Sequence, residues 1–185
     1  MTDTGKAIEI RVDEIDQLFD TLDPYPFPER DLDKDAEEYI FSWARELPHD
    51  QPIRIVVHFP DSADQMRAAQ ALSGSFARYF AYRAGTIGRD LNELFRIGRR
   101  SLLIGVPILV ACLVIARIAA SYFSESAFRR LFEESLLILG WVANWRPLEI
   151  FLYDWWPITR RRDLYRRLAA AKVELKPYAA GSARQ

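Results

Sequence analysis

The chain is 185 residues long, half of them hydrophobic and 28% charged, a composition that excludes a wholly disordered protein. Its formal net charge of −1 is the sum of two parts of the chain with opposite net charge. Residues 1–64 carry 17 acidic against 6 basic side chains, and residues 65–185 carry 9 acidic against 19 basic. This asymmetry predicts two environments, and the basic part suits an anionic lipid surface or nucleic acid.

The first predicted elements belong to a small α+β head. Residues 7–12 alternate apolar and polar side chains, which predicts a half-buried strand. Residues 13–22 predict a short acidic helix. Prolines 24, 26 and 28 then exclude regular structure, so an extended loop is expected.

A helix is predicted from Asp33, which suits the N-cap, to Pro48, which ends it. The acidic residues of its first turn, Glu37 among them, suit the positive end of the helix dipole. A second strand is predicted over residues 53–59. The apolar face expected for the helix consists of Ala36, Tyr39, Ile40, Trp43, Ala44 and Leu47.

A long helical pattern follows. Ser62 and Gln65 have the spacing of a capping box, which predicts a helix start there. The pattern continues into the apolar residues 101–123. Near the end of the chain, residues 172–176 alternate again and predict a third strand that returns to the head.

The first apolar segment predicts a transmembrane helix. Residues 102–116 contain no charged side chain, and residues 101–123 would extend about 34 Å as a helix, enough to cross the hydrocarbon layer. Arg117 lies past the midpoint and can extend toward the far interface. The single cysteine, Cys112, is expected to be a packing residue. The competing interpretation is the core helix of a soluble protein, which is rarely apolar on all sides in so small a domain.

A second, weaker apolar segment covers residues 136–158, and three charged side chains interrupt it. Arg146 and Glu149 are three residues apart and therefore neighbours on a helix. Two interpretations stay open. The pair only lowers the cost of burying its charges in a weakly apolar membrane helix, or it belongs to a functional polar site within the membrane. The candidate intramembrane polar site consists of Arg117, Arg146, Glu149 and Asp154.

Aromatic and basic side chains flank these segments, as is typical of a boundary between bilayer and water. The predicted interface anchors are Arg99, Arg100, Trp155, Trp156, Arg160, Arg161 and Arg162. Arginines precede the first segment and follow the second, which predicts cytosolic termini. The connecting turn also contains Arg129 and Arg130, a mild exception that leaves open a hairpin confined to one leaflet. The first sixteen residues do not form a signal peptide, in agreement with a cytosolic start.

Residues 160–168 interleave arginines with Tyr165 and could hold either nucleic acid or lipid headgroups. Their position just after an aromatic-rich apolar segment favours headgroups. Each basic residue near an anionic surface contributes about 1 kcal/mol to such binding. We therefore expect the lipid bilayer, and no nucleic acid, among the partners.

Signatures of catalysis and metal binding are faint. The acidic run 31–38 departs from a calcium loop, because Ala36 and Ser42 stand where glycine and glutamate are required. His49 and His58 lack zinc-ligand spacing, and no phosphate-binding glycine loop occurs. No Ser/His/Asp set is recognisable by motif, although such sets assemble in space. The sequence predicts no metal, no cofactor and no enzymatic activity.

Two stretches, DPYPFPERDLDKDAEEYI and LLILGWVANWRPLEIFLYDWWP, carry a resemblance that extends over most of the chain. They are similar to stretches in uncharacterised bacterial proteins that have a short cytosolic head and two membrane helices. The resemblance implies that architecture and a bacterial inner-membrane location. It implies no activity and no catalytic residue.

The predicted fold is α+β: a small cytosolic three-strand sheet with helices, attached to a two-helix transmembrane hairpin. Its domains are an α/β head (1–84), a juxtamembrane helix (85–100), a transmembrane helical hairpin (101–156), a basic cytosolic helix and strand (157–176) and a disordered tail (177–185).

The predicted function is that of a non-enzymatic scaffold or regulator in the inner membrane, with a protein partner or self-association. The acidic face of residues 13–38 is the expected docking surface. The alternative is a subunit of an oligomeric channel or transporter that uses the intramembrane charges. A hydrolase of lipid-like substrates comes third, with no nucleophile motif in support.

Overall fold

The computed structural model describes residues 7–25, 29–122 and 127–179. The chain divides into two compact units, the head unit (Met1–Thr86 with Arg161–Gln185) and the apolar unit (Ile87–Arg160). The strands among these residues are β1 (Ile8–Arg11), β2 (Arg54–Pro60) and β3 (Lys172–Tyr178). The α-helices among them are α1 (Lys34–Glu46), α2 (Ala63–Tyr122), α3 (Ala127–Glu149) and α4 (Trp155–Ala169), and a π-turn (Ile150–Asp154) joins the last two.

A three-stranded parallel sheet in the order β1-β2-β3 confirms the predicted α+β class. Ile55 on β2 is the register partner of both Ile8 on β1 and Val173 on β3. The third strand continues two residues beyond the predicted segment, so that Tyr178 pairs with Pro60. Residues 180–185 of the predicted tail lie outside the described residues.

The strand order explains why the sheet has one apolar and one polar face. When successive right-handed crossover connections add each new strand on the same edge of a parallel sheet, their helices lie on the same side of that sheet. On the apolar face Ile8, Ile55 and Val57 are buried. On the opposite face Glu9 and Arg11 are exposed. The order contains no reversal, and it is at such reversals that open α/β sheets form ligand crevices.

Helix α1 begins as predicted. The Asp33 carboxylate accepts hydrogen bonds from the backbone N–H groups of Asp35 at 2.9 Å and of Ala36 at 3.4 Å. Its buried side chains include Ile40 and Ala44. The core is completed from α2 by Leu72, Phe76 and Phe80, and from α4 by Leu164, Tyr165 and Leu168.

Two local predictions need correction. The short acidic helix expected over 13–22 is a single 3-10 turn, Ile15–Leu18, because the next residue, Phe19, is extended and forms an antiparallel bridge with Leu32. The capping box is half formed, since the Ser62 hydroxyl accepts from the Gln65 backbone N–H at 3.4 Å. The Gln65 side chain instead accepts a hydrogen bond from the backbone N–H of Ile15 at 2.8 Å, which fixes that turn to α2. Pro26 and Pro28 of the predicted loop lie outside the described residues.

In the apolar unit, contacts between α2 and α3 occur at glycines. A Cβ built on Gly105 would lie 2.7 Å from the Asn144 side chain, and one on Gly140 would lie 2.5 Å from the Leu109 side chain. A Cβ on Gly98 would lie 2.9 Å from Ile150. The contacts therefore follow in reverse order along the two helices, which run in opposite directions.

Helix α2 is long and apolar enough to cross a membrane by length and composition. Its most apolar window of 18 residues has a mean hydropathy of 2.6, and only 17% of that window is buried. It is the one such helix in the described part of the chain.

Candidate functional site

The structure brings three of the four predicted polar-site residues together. The Arg146 guanidinium lies 3.2 Å from the Glu149 carboxylate and 3.0 Å from the Asp154 carboxylate. The indole N–H of Trp145 donates to the second oxygen of Glu149 at 2.8 Å. One cation is therefore shared by two anions in a cluster formed by Trp145, Arg146, Glu149 and Asp154, which we call the charged cluster.

The π-turn explains how Asp154 reaches this cluster. Arg146 and Asp154 are eight residues apart, and in a regular α-helix they would stand about a fifth of a turn out of line. A π-turn accommodates one more residue per turn than an α-helix, which rotates Asp154 back toward Arg146. Pro147 precedes the turn and has no N–H for the carbonyl of Ala143. That carbonyl faces Gly105, where a Cβ would stand 2.8 Å from its oxygen.

Arg117, the fourth predicted residue, does not belong to the charged cluster. Its side chain is exposed on α2, and it forms no ion pair within the described ranges 7–25, 29–122 and 127–179. The predicted site is therefore a cluster of three charges and a separate arginine.

Sequence analysis did not single out Asn144, which lies within the second apolar segment. Asn144 is 7% exposed, and its side-chain amide donates to the carbonyl oxygens of Gly105 and Gly140, both at 2.9 Å. Both N–H groups of this amide are thus used, one toward each helix. The spacing of Asn144 four residues after a glycine could have drawn attention to it, because such glycines allow a close helix approach.

The predicted interface anchors have different partners. Arg160 stacks on the Trp156 ring at 4.3 Å, and the Trp155 indole N–H donates to the Phe151 carbonyl at 3.0 Å. Arg161 lies over the rings of Phe41 and Tyr165 in the head unit, and Arg162 bonds to Asp163. Arg99 and Arg100 are exposed on α2.

A buried carboxylate in the head unit was also missed. Glu37 is 9% exposed, although sequence analysis placed it only among the acidic residues that suit the positive end of the helix dipole. It accepts hydrogen bonds from Tyr79 at 2.7 Å, from Arg83 at 2.8 Å and from Tyr165 at 2.5 Å. This Glu37 cluster joins α1, α2 and α4, and no pattern of helical periodicity could have predicted it.

The environment of Glu37 sets the protonation of its neighbours. Burial raises the pKa of Glu37, but the hydrogen bonds from Tyr165, Tyr79 and Arg83 outweigh it, so the net pKa lies below its usual value. Burial and the adjacent carboxylate raise the pKa of both Tyr79 and Tyr165. At neutral pH the cluster therefore contains one carboxylate, one guanidinium and two neutral phenols. All of its donors are directed at one acceptor, an arrangement that suits a structural role in holding α1, α2 and α4 together.

An open cavity of about 410 Å³ lies beside this cluster, lined by Asp20, Asp23, Tyr25, Glu29, Arg30, Asp31, Ser75, Arg78, Tyr79 and Tyr82. Asp23 accepts from the backbone N–H groups of Tyr25 at 3.0 Å and Asp31 at 2.8 Å, which lowers its pKa and shapes the loop. Asp20 accepts from Leu22 in the same way. These carboxylates therefore organise the loop.

No group of three or more potential metal ligands occurs among the residues that the structure describes. Comparisons of the chain with protein-family models, with curated proteins and with solved structures gave no match. Function is therefore inferred from the geometry of this chain alone.

Proposed function

We propose that the chain is an integral protein of the bacterial inner membrane, and that α2 from Ser101 onward forms a transmembrane hairpin with α3. The exposure of the apolar window of α2 carries this proposal. Contiguous apolar surface of this extent is rare on soluble monomers and marks contact with a membrane or a partner. A buried core helix would show the opposite, most of its window being buried.

The second helix of the hairpin has support from its own side chains. Ile138, Trp141 and Val142 are exposed at 58–64% on α3. Its polar groups compensate one another, because Asn144 satisfies carbonyls of both helices and Arg146 is paired with two carboxylates. A hydrocarbon environment requires such internal satisfaction of backbone and charged groups.

The role that we propose is a non-enzymatic scaffold or regulator with cytosolic termini. Two observations support it: the donors of the Glu37 cluster are directed at a single acceptor, and the sheet has no reversal of strand order at which a ligand crevice would form. The exposed acidic side chains Asp13, Glu14, Asp16, Asp35 and Glu38 suit a basic protein partner. The resemblance to two-helix bacterial membrane proteins stays a prediction.

The membrane proposal is tested by extraction of membranes with alkaline carbonate. We expect the full-length chain to remain in the pellet with an integral marker protein. Release into the supernatant together with a peripheral marker would refute it.

The hairpin is tested by thiol labelling in intact cells. Cys112 is first changed to serine, and single cysteines are introduced at Thr4, Ser126 and Ser182. We expect an impermeant reagent to label only the variant at Ser126, since the other two sites are proposed to be cytosolic. Absence of label at all three sites would favour a hairpin confined to one leaflet.

The channel or transporter alternative has one observation in its favour, the excess of one negative charge in the charged cluster. Ion flux through liposomes that contain the purified chain separates the two functions. We expect no flux above that of empty liposomes. Flux that disappears in Asp154→Asn would support the alternative.

A further inference from the structure

Several charged side chains of the apolar unit are exposed and form no ion pair with another described residue, among them Arg117 and Arg130. Arg117 on α2 and Glu134 on α3 are both exposed, and neither has a hydrogen bond or an ion pair among the described residues. Arg129 and Glu133, on the side of α3 that faces α2, approach each other at 3.7 Å. An unpaired charge is costly in a membrane segment, so Arg117 and Glu134 each need either water or an opposite charge.

Arg117 and Glu134 lie at the same level of the antiparallel helix pair. Gly140 of α3 faces Leu109 and Cys112 of α2, which fixes the register. Arg117 comes five residues after Cys112, and Glu134 comes six residues before Gly140. Both steps lead toward the α2–α3 connection, and with 1.5 Å per residue the two positions differ by about 1.5 Å along the helix axis.

They also stand on the same side of the pair. With 3.6 residues per turn, Arg117 on α2 and Glu134 on α3 each lie about a third of a turn around their own helix axis from the line where the two helices touch. In both helices this rotation is in the direction of increasing residue number. Because α3 runs opposite to α2, equal rotations lead to the same side. The surface between and beside them is apolar and exposed, and includes Val110, Leu113 and Trp141.

We propose that two copies of this chain associate through this side of the helix pair, with Arg117 of each copy bound to Glu134 of the other. The inference rests on the proposed hairpin. A two-fold axis along the membrane normal places α2 of one copy opposite α3 of the other, so each arginine faces a glutamate at its own level. The interface is self-complementary and closed, as the symmetry of a dimer requires.

A second copy fits this surface better than a different partner does. Arg117 and Glu134 lie at equal depth, so a two-fold operation pairs both of them. Arg130, one turn from Glu134 toward the α2–α3 connection, is exposed as well and adds a second positive group at that end of the face. The apolar residues around the charges provide packing surface, and helix association within lipid depends on packing and polar contacts. Electrostatic pairs at such an interface fix the register and exclude other arrangements.

Charge exchange in the full-length chain tests the pairing. Donor- and acceptor-labelled copies are mixed in liposomes, and energy transfer is measured against the protein-to-lipid ratio. Arg117→Glu and Glu134→Arg each place like charges opposite one another, so we expect dimerisation at least about tenfold weaker in either variant. The double exchange Arg117→Glu/Glu134→Arg should restore it. Failure of the double exchange to restore dimerisation would overturn the proposed pairing.

A matched pair of bulky substitutions tests the face itself. Val110, 51% exposed, lies on the proposed face, and Ile115, 48% exposed, lies on the opposite side of the same helix. We expect Val110→Trp to weaken dimerisation and Ile115→Trp to leave it unchanged. Equal effects, or a stronger effect of Ile115→Trp, would exclude this face.

Light scattering in mild detergent gives the assembly size, for which we expect twice the 21.5 kDa of one chain. The chain could resist carbonate extraction and still be a monomer, with energy transfer that the charge-exchange variants do not change. This result would mean that Arg117 extends to the membrane–water interface without a partner. The dimer would then be wrong while the membrane proposal stands. Carbonate release would refute the membrane proposal itself, and the dimer inference with it.

Discussion

The hydroxyl of Tyr165 donates a hydrogen bond of 2.5 Å to the carboxylate of Glu37, although 128 residues separate the two. This bond attaches α4 to α1, and the bonds from Tyr79 and Arg83 attach α2 to the same oxygen pair. The helices α1, α2 and α4 are therefore held together at one carboxylate. Buried carboxylates that accept several charge-assisted bonds are costly to replace, because their donors lose a partner that water cannot fully supply.

We expect Glu37→Gln to lower the free energy of unfolding of the head by about 2–3 kcal/mol. The amide preserves the shape of the side chain but removes the charge that faces Arg83. Thermal unfolding of the full-length chain in detergent, followed by circular dichroism, measures the effect. Glu38→Gln is the matched control, since Glu38 is exposed on the same helix and should change little. Equal effects of the two substitutions would contradict the structural role of Glu37.

The contribution of Glu37 should depend on pH with a definite sign. Burial raises its pKa, the hydrogen bonds from the three donors lower it by more, and the net pKa lies below the usual 4.5. A lowered pKa in the folded state gives stability that is present above the unfolded pKa and is lost as the pH falls through the folded pKa. We therefore expect the difference in Tm between the wild type and Glu37→Gln to be constant near neutral pH and to shrink below pH 4.5. A difference that grows on acidification would contradict this assignment.

Asp31 should show the opposite sign. Partial desolvation of its carboxyl group and the charge of Asp23 raise its pKa, so ionisation of Asp31 opposes folding as the pH rises through that value. We expect Asp31→Asn to be at least as stable as the wild type near neutral pH, and to lose any advantage in acid. The comparison uses the same Tm measurements as for Glu37→Gln. Marked destabilisation at neutral pH would show that the Asp31 carboxylate has a favourable partner when folded.

Hydrophobic periodicity predicted the strands and helices well because burial of apolar side chains dominates at those positions. It failed on the orientation of α1, where Tyr39 and Trp43 are 44% and 41% exposed while Glu37 is buried. Glu37 shares a helix face with Ile40 and Ala44, at spacings of three and seven residues. Its burial depends on donors from α2 and α4, which are distant in sequence and not deducible from local pattern.

The candidate polar site shows the same limit. The spacing of Arg146 and Glu149 correctly predicted that they are neighbours. The participation of Asp154 required the π-turn, and the role of Asn144 required the register between two helices. Neither the π-turn nor the register is encoded in a residue spacing, so sequence analysis could name the residues but not connect them.

Gly105→Ala should separate the two helices of the apolar unit. Its Cβ would stand 2.8 Å from the Ala143 carbonyl oxygen, a backbone atom that cannot move without shifting α3, and 2.7 Å from the Asn144 side chain. We expect a lower Tm in detergent and a smaller folded fraction. Gly85→Ala is the matched control, because a Cβ there meets no atom within 4 Å and alanine favours a helix by about 1 kcal/mol. If Gly105→Ala is as stable as Gly85→Ala, the close approach at Gly105 is not required for folding.

Substitutions in the charged cluster should reduce the amount of folded protein to different degrees. Arg146→Leu leaves two carboxylates without their cation, so it should reduce the amount of folded protein in membranes more than Glu149→Leu, which leaves Arg146 bound to Asp154. The double change Arg146→Leu/Glu149→Leu should recover only part of this amount, because Asp154 then remains unpaired, at a cost of several kcal/mol in dry surroundings. Adding Asp154→Asn should complete the recovery.

Quantitative blotting of membranes after equal expression measures the series, and Glu38→Gln serves as a control for expression. Full recovery already in the double variant would show that Asp154 is solvated independently of Arg146. Wild-type amounts in both single variants would show that these charges lie in water, and the proposed position of this segment within the membrane would then be wrong.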